Sequence, residues 1–298
     1  MLKGLLIINQ FLNTQKFKEH YHWLNAACKK QQVHLEIRTN AEFLIQADTG
    51  VVKSAAFQDT LPDFVLFWDK DIRLAHALEA MGLRLYNSAD AIAACDDKSL
   101  TAAALAGIVR QPRTYLAPMT YSNIGYTDFS FLEQVEKELS YPFIIKECFG
   151  SFGMQVYLVS SRDEAEKILS IKAGNSFLFQ EYIKSSTGRD IRLHVVGDSV
   201  VTSMLRYNEH DFRANITNGG FMKPYQPSEA QKMLAVKVCN TLKLDFAGVD
   251  ILFGEQDEPI LCEVNSNAHF KNIFNCTGIN VADAIIAHIA RFAVTVHS

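Results

Sequence analysis

The chain has 298 residues, which is long enough for two domains or for one elaborated domain with a large hydrophobic core. Its 29 lysines and arginines against 33 aspartates and glutamates give a formal net charge of −4, which argues against a nucleic-acid-binding protein that relies on a positive field. With 48% hydrophobic and 21% charged residues, the composition is that of a folded globular protein, neither disordered nor membrane-embedded.

The N-terminal third alternates short apolar runs with helical patterns. We predict strands over residues 4–8, 34–38, 63–68 and 83–86, and helices over residues 15–30 and 72–81. Strands that alternate with helices favour a parallel sheet with crossover helices. The segment contains no G-x-G-x-x-G and no G-x-x-x-x-G-K-[ST], so neither a dinucleotide fingerprint nor a P-loop is present.

From about residue 88 the pattern changes, and the rest of the chain predicts mixed α+β structure. Two helical stretches on either side of Asp97 lead into an extended connection with two prolines. The further predicted elements are helix 129–140, strands 141–146 and 154–159, helix 161–172, strand 177–183, a hairpin of 190–196 with 199–207, helix 228–242, a hairpin of 246–253 with 259–265, and helix 279–296. We therefore predict three units with the bounds 1–90, 91–175 and 176–298.

Export signals and a metal-binding cysteine framework are not expected. The apolar run near the start, residues 4–8, is too short for a signal peptide or a membrane span. The six cysteines are scattered without zinc-type spacing, so reduced structural thiols in a cytoplasmic protein are predicted.

Two acids and an amide interrupt the apolar strands of the last predicted hairpin. If Phe253 faces Ile260 across the turn, Asp250 lies opposite Glu263. Alternation puts Glu263 and Asn265 on one face and turns the intervening Cys262 into the core. Three oxygen ligands would suit magnesium better than zinc. The alternative is a pair of carboxylates that face solvent at a sheet edge.

The loop after the strand that ends near Lys146 has the composition of a phosphate-binding lid. It reads Glu-Cys-Phe-Gly-Ser-Phe-Gly, and its glycines, Gly150 and Gly153, would let backbone amides approach phosphate oxygens beside the lysine charge. The alternative is an ordinary hairpin loop with an exposed lysine.

Polar residues recur on one face of the strand 190–196, and basic residues follow downstream. Asp190, Arg192 and His194 share a face that either lines a site or meets water. Arg206 and Arg213 could stabilise charge on a transferring phosphoryl group, or belong to a solvated loop. The histidines at 194, 210 and 269 are isolated in sequence and favour structural or surface roles.

Taken in order, these segments resemble the ATP-grasp superfamily and, within it, the RimK-like amino-acid ligases. The resemblance covers residues 88–298 and extends more loosely to the N-terminal third. The motifs that carry it are Asp97-Lys98, Lys146 with residues 150–153, residues 180–183, residues 188–192, Arg206, residues 212–215 with Gly219-Gly220, Asp250 and residues 263–265.

The resemblance implies an α/β and α+β architecture in which residues 1–90 form a pre-ATP-grasp domain and residues 91–175 and 176–298 form the two ATP-grasp subdomains, with ATP between them. The residues that it assigns to ATP are Lys98, Lys146, Gly150, Ser151, Phe152, Gly153, Gln180, Glu181, Tyr182, Ile183, Asp190 and Arg192. The residues that it assigns to magnesium are Asp250, Glu263 and Asn265, and those beside the transferring phosphate and acyl group are Arg206, Arg213 and Asn215.

The implied activity is an ATP-dependent carboxylate–amine ligase that uses Mg²⁺, as two ions for which Mn²⁺ can substitute. A substrate carboxylate takes the γ-phosphate of ATP, and an amine then displaces phosphate from the acyl phosphate to give an amide. The expected partners are an amino acid such as glutamate and a small-molecule or peptide acceptor, in a cytoplasmic homodimer or homotetramer without nucleic acid or membrane. The alternatives are a ligase of two free amino acids, a relative that stops at a phosphorylated product, and a non-catalytic nucleotide-binding regulator.

Two segments depart from the family pattern. Residues 266–271 read Ser-Asn-Ala-His-Phe-Lys where relatives that modify ribosomal protein tails carry a Ser-Pro-Gly type segment, and residues 68–71 read Trp-Asp-Lys-Asp where many relatives have an arginine and a glycine. We expect both segments to face the substrates, so the resemblance leaves the added amino acid and its acceptor open.

Overall fold

The computed structural model describes residues 1–12, 14–48, 51–57, 61–150, 153–172 and 174–295. Its N-terminal part is a parallel sheet, as predicted, with the strand order β2-β1-β5-β6. In chain order the elements are β1 (Lys3–Ile8), α1 (Gln15–Lys30), β2 (His34–Thr39), β3 (Ile45–Asp48), β4 (Val51–Ser54), β5 (Phe64–Trp68), α2 (Ile72–Ala80) and β6 (Leu85–Tyr86). The hairpin of β3 and β4 was not predicted, because its short strands lack a clear apolar alternation.

A second, antiparallel sheet with the order β7-β10-β8-β9 follows. Its elements are α3 (Ala89–Asp96), α4 (Lys98–Leu105), β7 (Thr114–Leu116), α5 (Phe131–Leu139), β8 (Phe143–Glu147), β9 (Val156–Val159), α6 (Arg162–Ile171) and β10 (Phe177–Glu181). Helices α5 and α6 cover an apolar face that includes Phe143, Phe177 and Phe179. Because Asp97 accepts hydrogen bonds from the backbone of Ser99 and Leu100, α4 begins at Lys98.

The third sheet is antiparallel with the order β13-β12-β11-β14-β15. Its elements are β11 (Arg189–Val196), β12 (Ser199–Tyr207), β13 (Phe221–Pro224), α7 (Glu229–Thr241), β14 (Phe246–Phe253), β15 (Pro259–Asn265), α8 (Lys271–Thr277) and α9 (Val281–Thr295). The predicted capping box at Ser228 and Gln231 starts α7, which packs on one face of the sheet. Helix α9 packs in one hydrophobic core with α1 and residues of the first sheet, so the N-terminal part packs against the last helix of the chain.

The length and hydropathy of the described helices can be compared with those that a membrane-spanning helix requires. Among the described residues no single helix is long and apolar enough to cross a membrane; α8 taken together with residues 281–293 reaches that length and composition, but the two are bent by 113°.

The register of the last hairpin confirms one expectation and corrects another. Asp250 lies opposite Glu263, as predicted, but Phe253 pairs with Pro259 and not with Ile260. A bulge between Asp250 and Ile251 adds one residue to β15 and makes up the difference. The bulge also breaks the alternation, so the expectation that Cys262 points away from Glu263 is wrong: both residues line the same cavity.

Asn87, just after β6, ties the first sheet to the third. Its side chain is fully buried, and both its amide nitrogen and its amide oxygen form hydrogen bonds. The amide Nδ2 donates to the carbonyls of Phe246 (2.9 Å) and Ser266 (3.1 Å), and Oδ1 accepts from the backbone N–H groups of Asp245 (2.7 Å) and Phe246 (3.2 Å). One side chain therefore fixes both ends of the hairpin that carries Asp250 and Glu263.

Asn87→Ala should lower the free energy of unfolding by about 3 kcal/mol, because it leaves several buried backbone groups without partners. Urea unfolding monitored by tryptophan fluorescence measures this loss. Asn240→Ala, which removes an exposed amide bonded to Asp198, is the control and should cost about 0.5 kcal/mol or less. If Asn87→Ala lowered the free energy of unfolding as little as Asn240→Ala does, Asn87 would not be holding the hairpin to the first sheet.

Candidate active site

A cavity lies between the second and third sheets, and we name it the nucleotide cavity. It is lined from the second sheet by Ile144, Lys146, Val156, Gln180 and Glu181, and from the third by Asp190, Arg206, Asp250, Leu252, Cys262 and Glu263. The connections that close it contribute Tyr182, Ile183, Phe212, Arg213 and Asn215. Most of the predicted ATP-binding residues are thus brought together, along with apolar walls from Ile144, Val156 and Leu252 that the sequence analysis did not single out.

The predicted phosphate-binding lysines lie on two sides of the loop that follows β8. Lys146 is buried on β8 and faces the nucleotide cavity. The Lys98 ammonium donates to the carbonyl of Gly150 (3.1 Å), and burial lowers its pKa while Glu263 opposes that shift. Gly150 has φ 137° and Gly153 has φ 71°, both in the region that favours glycine. Ser151 and Phe152, predicted in the same loop, lie outside the described residues.

Arg213 connects that loop to the third sheet. Its guanidinium donates to the carbonyl of Gly153 (2.7 Å) and pairs with the carboxylate of Asp211 (2.7 Å). The pair raises the pKa of Arg213, with the hydrogen bond that Arg213 donates to Asp211 as the main cause. Arg213 therefore holds the end of the loop against the cavity, and Asn215 lines the wall close by.

Four residues that the resemblance assigns to ATP, residues 180–183, run from the end of β10. The Gln180 side chain donates to the Thr114 hydroxyl (3.0 Å), and Glu181 pairs with Arg113, so both of these side chains already have protein partners. Tyr182 and Ile183 line the cavity beside Leu252. A planar ring could be held here between apolar side chains, with the chain at 181–183 along its edge.

Four charged residues form a buried ladder across β12, β11 and β14. Arg206 makes two hydrogen bonds to Asp190 (2.6 and 2.7 Å) and pairs with Asp250 (2.8 Å), and Arg192 makes two bonds to Asp250 (2.6 Å each). Burial alone would raise the pKa of Asp250, but Arg192 and Arg206 outweigh it and lower the pKa to about 2. For Asp190 burial prevails and the pKa is raised. The four side chains are thus connected through Asp250, which bonds to both arginines, before any ligand arrives.

The predicted magnesium ligands all lie on the last hairpin, and Glu263 is the one of the three that lines both the nucleotide cavity and a second cavity. Asp250 and Glu263 line the nucleotide cavity from paired positions on β14 and β15, and Asn265 follows on the same strand. The predicted set is two carboxylates and one amide, and within the described residues no group of three histidine, cysteine or acidic side chains could hold a metal. An all-oxygen set of this kind fits Mg²⁺ and not zinc. Burial raises the pKa of the adjacent Cys262 thiol to about 12, so that thiol stays protonated.

A second cavity of about 490 Å³ opens where the first sheet meets the third, and we name it the junction cavity. Its lining includes Glu263, Asn265, Arg192 and Asn215 at one end and Asn9, Phe17 and Tyr21 at the other. Trp68, Asp69 and Lys70 reach it from the end of β5, and residues 266–269 reach it from the end of β15. Both segments that depart from the family pattern therefore line the same space, next to the predicted metal ligands.

His269 is not isolated, in contrast to the sequence-based expectation. Its Nδ1 lies 3.0 Å from Nδ1 of His20, and the backbone N–H of Phe270 donates to Nε2 of His20 (3.1 Å). Because Nε2 of His20 is an acceptor, a neutral His20 carries its proton on Nδ1 and donates it to His269.

His194 is buried on β11 beside the charge ladder and gives a pH-dependence prediction. Burial lowers its pKa from 6.5 to about 3, with Arg192 adding to the shift. Below pH 6.5 this histidine is therefore protonated in the unfolded chain but stays neutral in the folded protein. The free energy of unfolding then decreases as the pH drops from 6.5 toward 3, by at most about 1.4 kcal/mol per pH unit. Urea unfolding at pH 7 and pH 5 measures how much the free energy of unfolding decreases between the two pH values. In His194→Gln this decrease should be smaller by about 2 kcal/mol than in the unsubstituted protein. His34→Gln, at an exposed position, should keep the full pH dependence.

Residues 96–289 match the RimK-like ATP-grasp domain family. Human N-acetylaspartylglutamate synthase A is 30% identical over 294 residues, which are 92% of this chain and 74% of that protein. The ribosomal protein bS6–L-glutamate ligase of Escherichia fergusonii is 39% identical over 155 residues, 51% of each chain. The structure of the ATP-grasp ligase PsnB with a minimal precursor superposes with a TM-score of 0.70 at 18% identity, covering 97% of this chain and 99% of PsnB, and shares its fold.

Proposed function

The chain belongs to the RimK-like ATP-grasp family and is an ATP-dependent ligase. We propose that it joins the carboxylate of one substrate to the amine of another, and that one of the two substrates is an amino acid. The observation that carries the proposal is the position of Glu263. This carboxylate lines both the nucleotide cavity and the junction cavity, so the two spaces meet at a predicted metal ligand. ATP in the first cavity would present its terminal phosphate to an acid in the second.

The chemistry that the arrangement supports has two steps. A carboxylate oxygen of the acid attacks the γ-phosphorus, the bond between the γ-phosphorus and the bridging oxygen breaks, and ADP leaves. The amine nitrogen then adds to the acyl carbon, the carbon–oxygen bond to phosphate breaks, and phosphate departs as the nitrogen loses a proton. Neither step needs a nucleophile on the protein, which agrees with the raised pKa of the Cys262 thiol in the cavity wall.

The protein's own contribution is charge and position. Lys98 and Lys146 would hold the phosphates, and residues 150–153 would cover them while Arg213 anchors the loop through Gly153. Mg²⁺ held by Asp250, Glu263 and Asn265 would neutralise charge on the phosphate oxygens. We further propose that two ions bind and that Mn²⁺ can replace Mg²⁺, as in the family pattern.

Substrates and assembly form a finer part of the proposal. Two relatives carry glutamate in their names, which makes glutamate the first amine to test. The acceptor would be a small molecule or a peptide end. We propose a cytoplasmic homodimer or homotetramer that acts without nucleic acid or membrane partners.

The test is ATP consumption with Mg²⁺ in the presence of single amino acids and amino-acid pairs, followed by mass spectrometry of every positive mixture. A new species with the summed mass of two substrates less one water, formed with one ADP per product, would support the ligase. Stable phosphorylated product without amide would overturn amide formation and favour the phosphorylating alternative. Absence of ATP turnover with every acid and amine, despite nucleotide binding, would contradict the proposal.

A further inference from the structure

Asp69 is a buried carboxylate that faces the junction cavity and lacks a cationic partner. It is 9% exposed, and burial raises its pKa. Its oxygens accept hydrogen bonds from neutral donors, the Asn9 amide (3.1 Å to each oxygen) and the backbone N–H of Lys70 (2.7 Å). In the described part of the chain no lysine, arginine or histidine pairs with it, and one position on Oδ2 is left to accept a further hydrogen bond. A buried charge of this kind is costly unless a ligand compensates it.

A second acceptor without a partner lies beside Asp69. The Asn267 amide donates from Nδ2 to the backbone carbonyl of Asp69 (3.0 Å), which holds the Asn267 side chain against the backbone at Asp69. Its Oδ1 is buried and has no hydrogen-bond partner among the described residues. Both residues line the junction cavity, so a carboxylate and an amide oxygen converge on the same space.

The cations around this cavity are already bonded, in contrast to Asp69. Lys70 pairs with Asp96, Lys98 donates to the loop carbonyl at Gly150, and Arg192 is bound on two sides to Asp250. Lys98 bonds only to neutral carbonyls and is the cation that the proposed function assigns to the ATP phosphates, whereas Lys70 and Arg192 are paired with carboxylates. Asp69 is thus left without a cation on the described lining, which favours a ligand with a cationic group over a polyanionic acid.

We propose that the junction cavity binds an amino acid as the acid that ATP activates, with its ammonium group held by Asp69 and Asn267 Oδ1 and its carboxylate directed toward Glu263. This inference rests on the proposed ligase function. The ammonium held there is a spectator and not the attacking amine. Two acceptor groups, one of them charged, stabilise the protonated form, whereas the attacking nitrogen must be deprotonated. The protein would then reject acids whose amine is blocked.

The experiment is hydroxylamine trapping of the activated acid, with ATP and Mg²⁺, for glutamate, aspartate, alanine and lysine, each supplied free and N-acetylated, and for citrate. Hydroxamate is expected from at least one free amino acid and at least 30-fold less from its N-acetyl form. Asp69→Asn, which keeps the shape of the side chain, should raise the KM for that amino acid about 30-fold and leave the KM for ATP within about twofold. Asn267→Ala should raise the KM for that amino acid less, by about fivefold, because the substitution removes a neutral acceptor.

Calorimetric binding of the same amino acid in the presence of ADP and Mg²⁺ gives a readout that needs no turnover, and it should weaken in Asp69→Asn by the same factor. Asp163→Asn, at an exposed position in the first turn of α6, is the control and should match the unsubstituted protein in every assay. Equal trapping of free and N-acetylated acids, trapping of citrate alone, or unchanged binding in Asp69→Asn would overturn the ammonium site and leave the ligase intact. Absence of hydroxamate and of ATP turnover with every acid would instead count against both proposals.

Discussion

Glu263→Gln should reduce ATP turnover about 10³-fold while the melting temperature stays within a few degrees of that of the unsubstituted protein. Glu263 is a predicted metal ligand that lines both cavities, so its charge acts where the phosphate meets the acid. Loss of a ligand to a catalytic metal removes several kcal/mol of transition-state stabilisation, and each factor of ten in rate is about 1.4 kcal/mol. The side chain is only partly buried, so its replacement by an isosteric amide costs little folding energy.

The measurement compares steady-state turnover with calorimetric titration of Mg²⁺ in the presence of ADP. Glu258→Gln is a matched control on the same hairpin, because Glu258 lies in the turn that joins β14 to β15 and pairs with Arg110. It should retain turnover and magnesium affinity. A Glu263→Gln protein with unchanged turnover at the same magnesium concentration would show that this carboxylate is not part of the metal site.

The pairing of Asp250 with Glu263 could be predicted from the sequence because acids inside apolar strands are rare and the hairpin turn is short. The assumed register was off by one residue at the turn, and the bulge in β15 restored the pair. A bulge leaves no clear signal in a strand of seven residues, which is why the position of Cys262 was wrong. The acids could thus be predicted, but the local geometry that orients their neighbours could not.

The apolar half of the nucleotide cavity was not predicted, for a different reason. Ile144, Val156 and Leu252 lie in strands where apolar residues are expected on any buried face. Whether such a face meets a helix or a cavity depends on how two sheets pack, and that is a long-range property. Charged residues in strands are exceptional and identify a site, whereas aliphatic ones do not.

The junction cavity could be predicted only in outline. Residues 68–71 and 266–271 depart from the family pattern and are expected to face the substrates, and residues of both segments line the same space. The contact between Asp69 and Asn267 joins residues 198 positions apart. It depends on Asn87 and α9 holding the first sheet against the third, and neither residue of the pair belongs to a local motif.

The second large effect is expected at Arg206, whose replacement by methionine should lower the free energy of unfolding by about 3–5 kcal/mol. Arg206 is the cation bonded to Asp190 on both oxygens, and it shares Asp250 with Arg192. Its removal leaves Asp190 buried and uncompensated, whereas Asp250 keeps one arginine. The pKa directions agree, since burial opposes the charge on Arg206 but Asp190 and Asp250 outweigh it and raise its pKa.

The double substitution Asp190→Asn with Arg206→Met separates folding from catalysis, because it removes both charges of the pair and leaves Arg192 with Asp250. Urea unfolding should show that the double variant recovers most of the lost stability, since replacing a whole buried pair is close to neutral. Arg189→Met is the control on the same strand; its pair with Asp257 is exposed, so the cost should be below about 1 kcal/mol. A stable double variant without ATP turnover would show that the pair also serves catalysis, since the resemblance assigns Asp190 to ATP and Arg206 to the transferring phosphate. A single variant within about 1 kcal/mol of the unsubstituted protein would mean that the ladder does not support the fold.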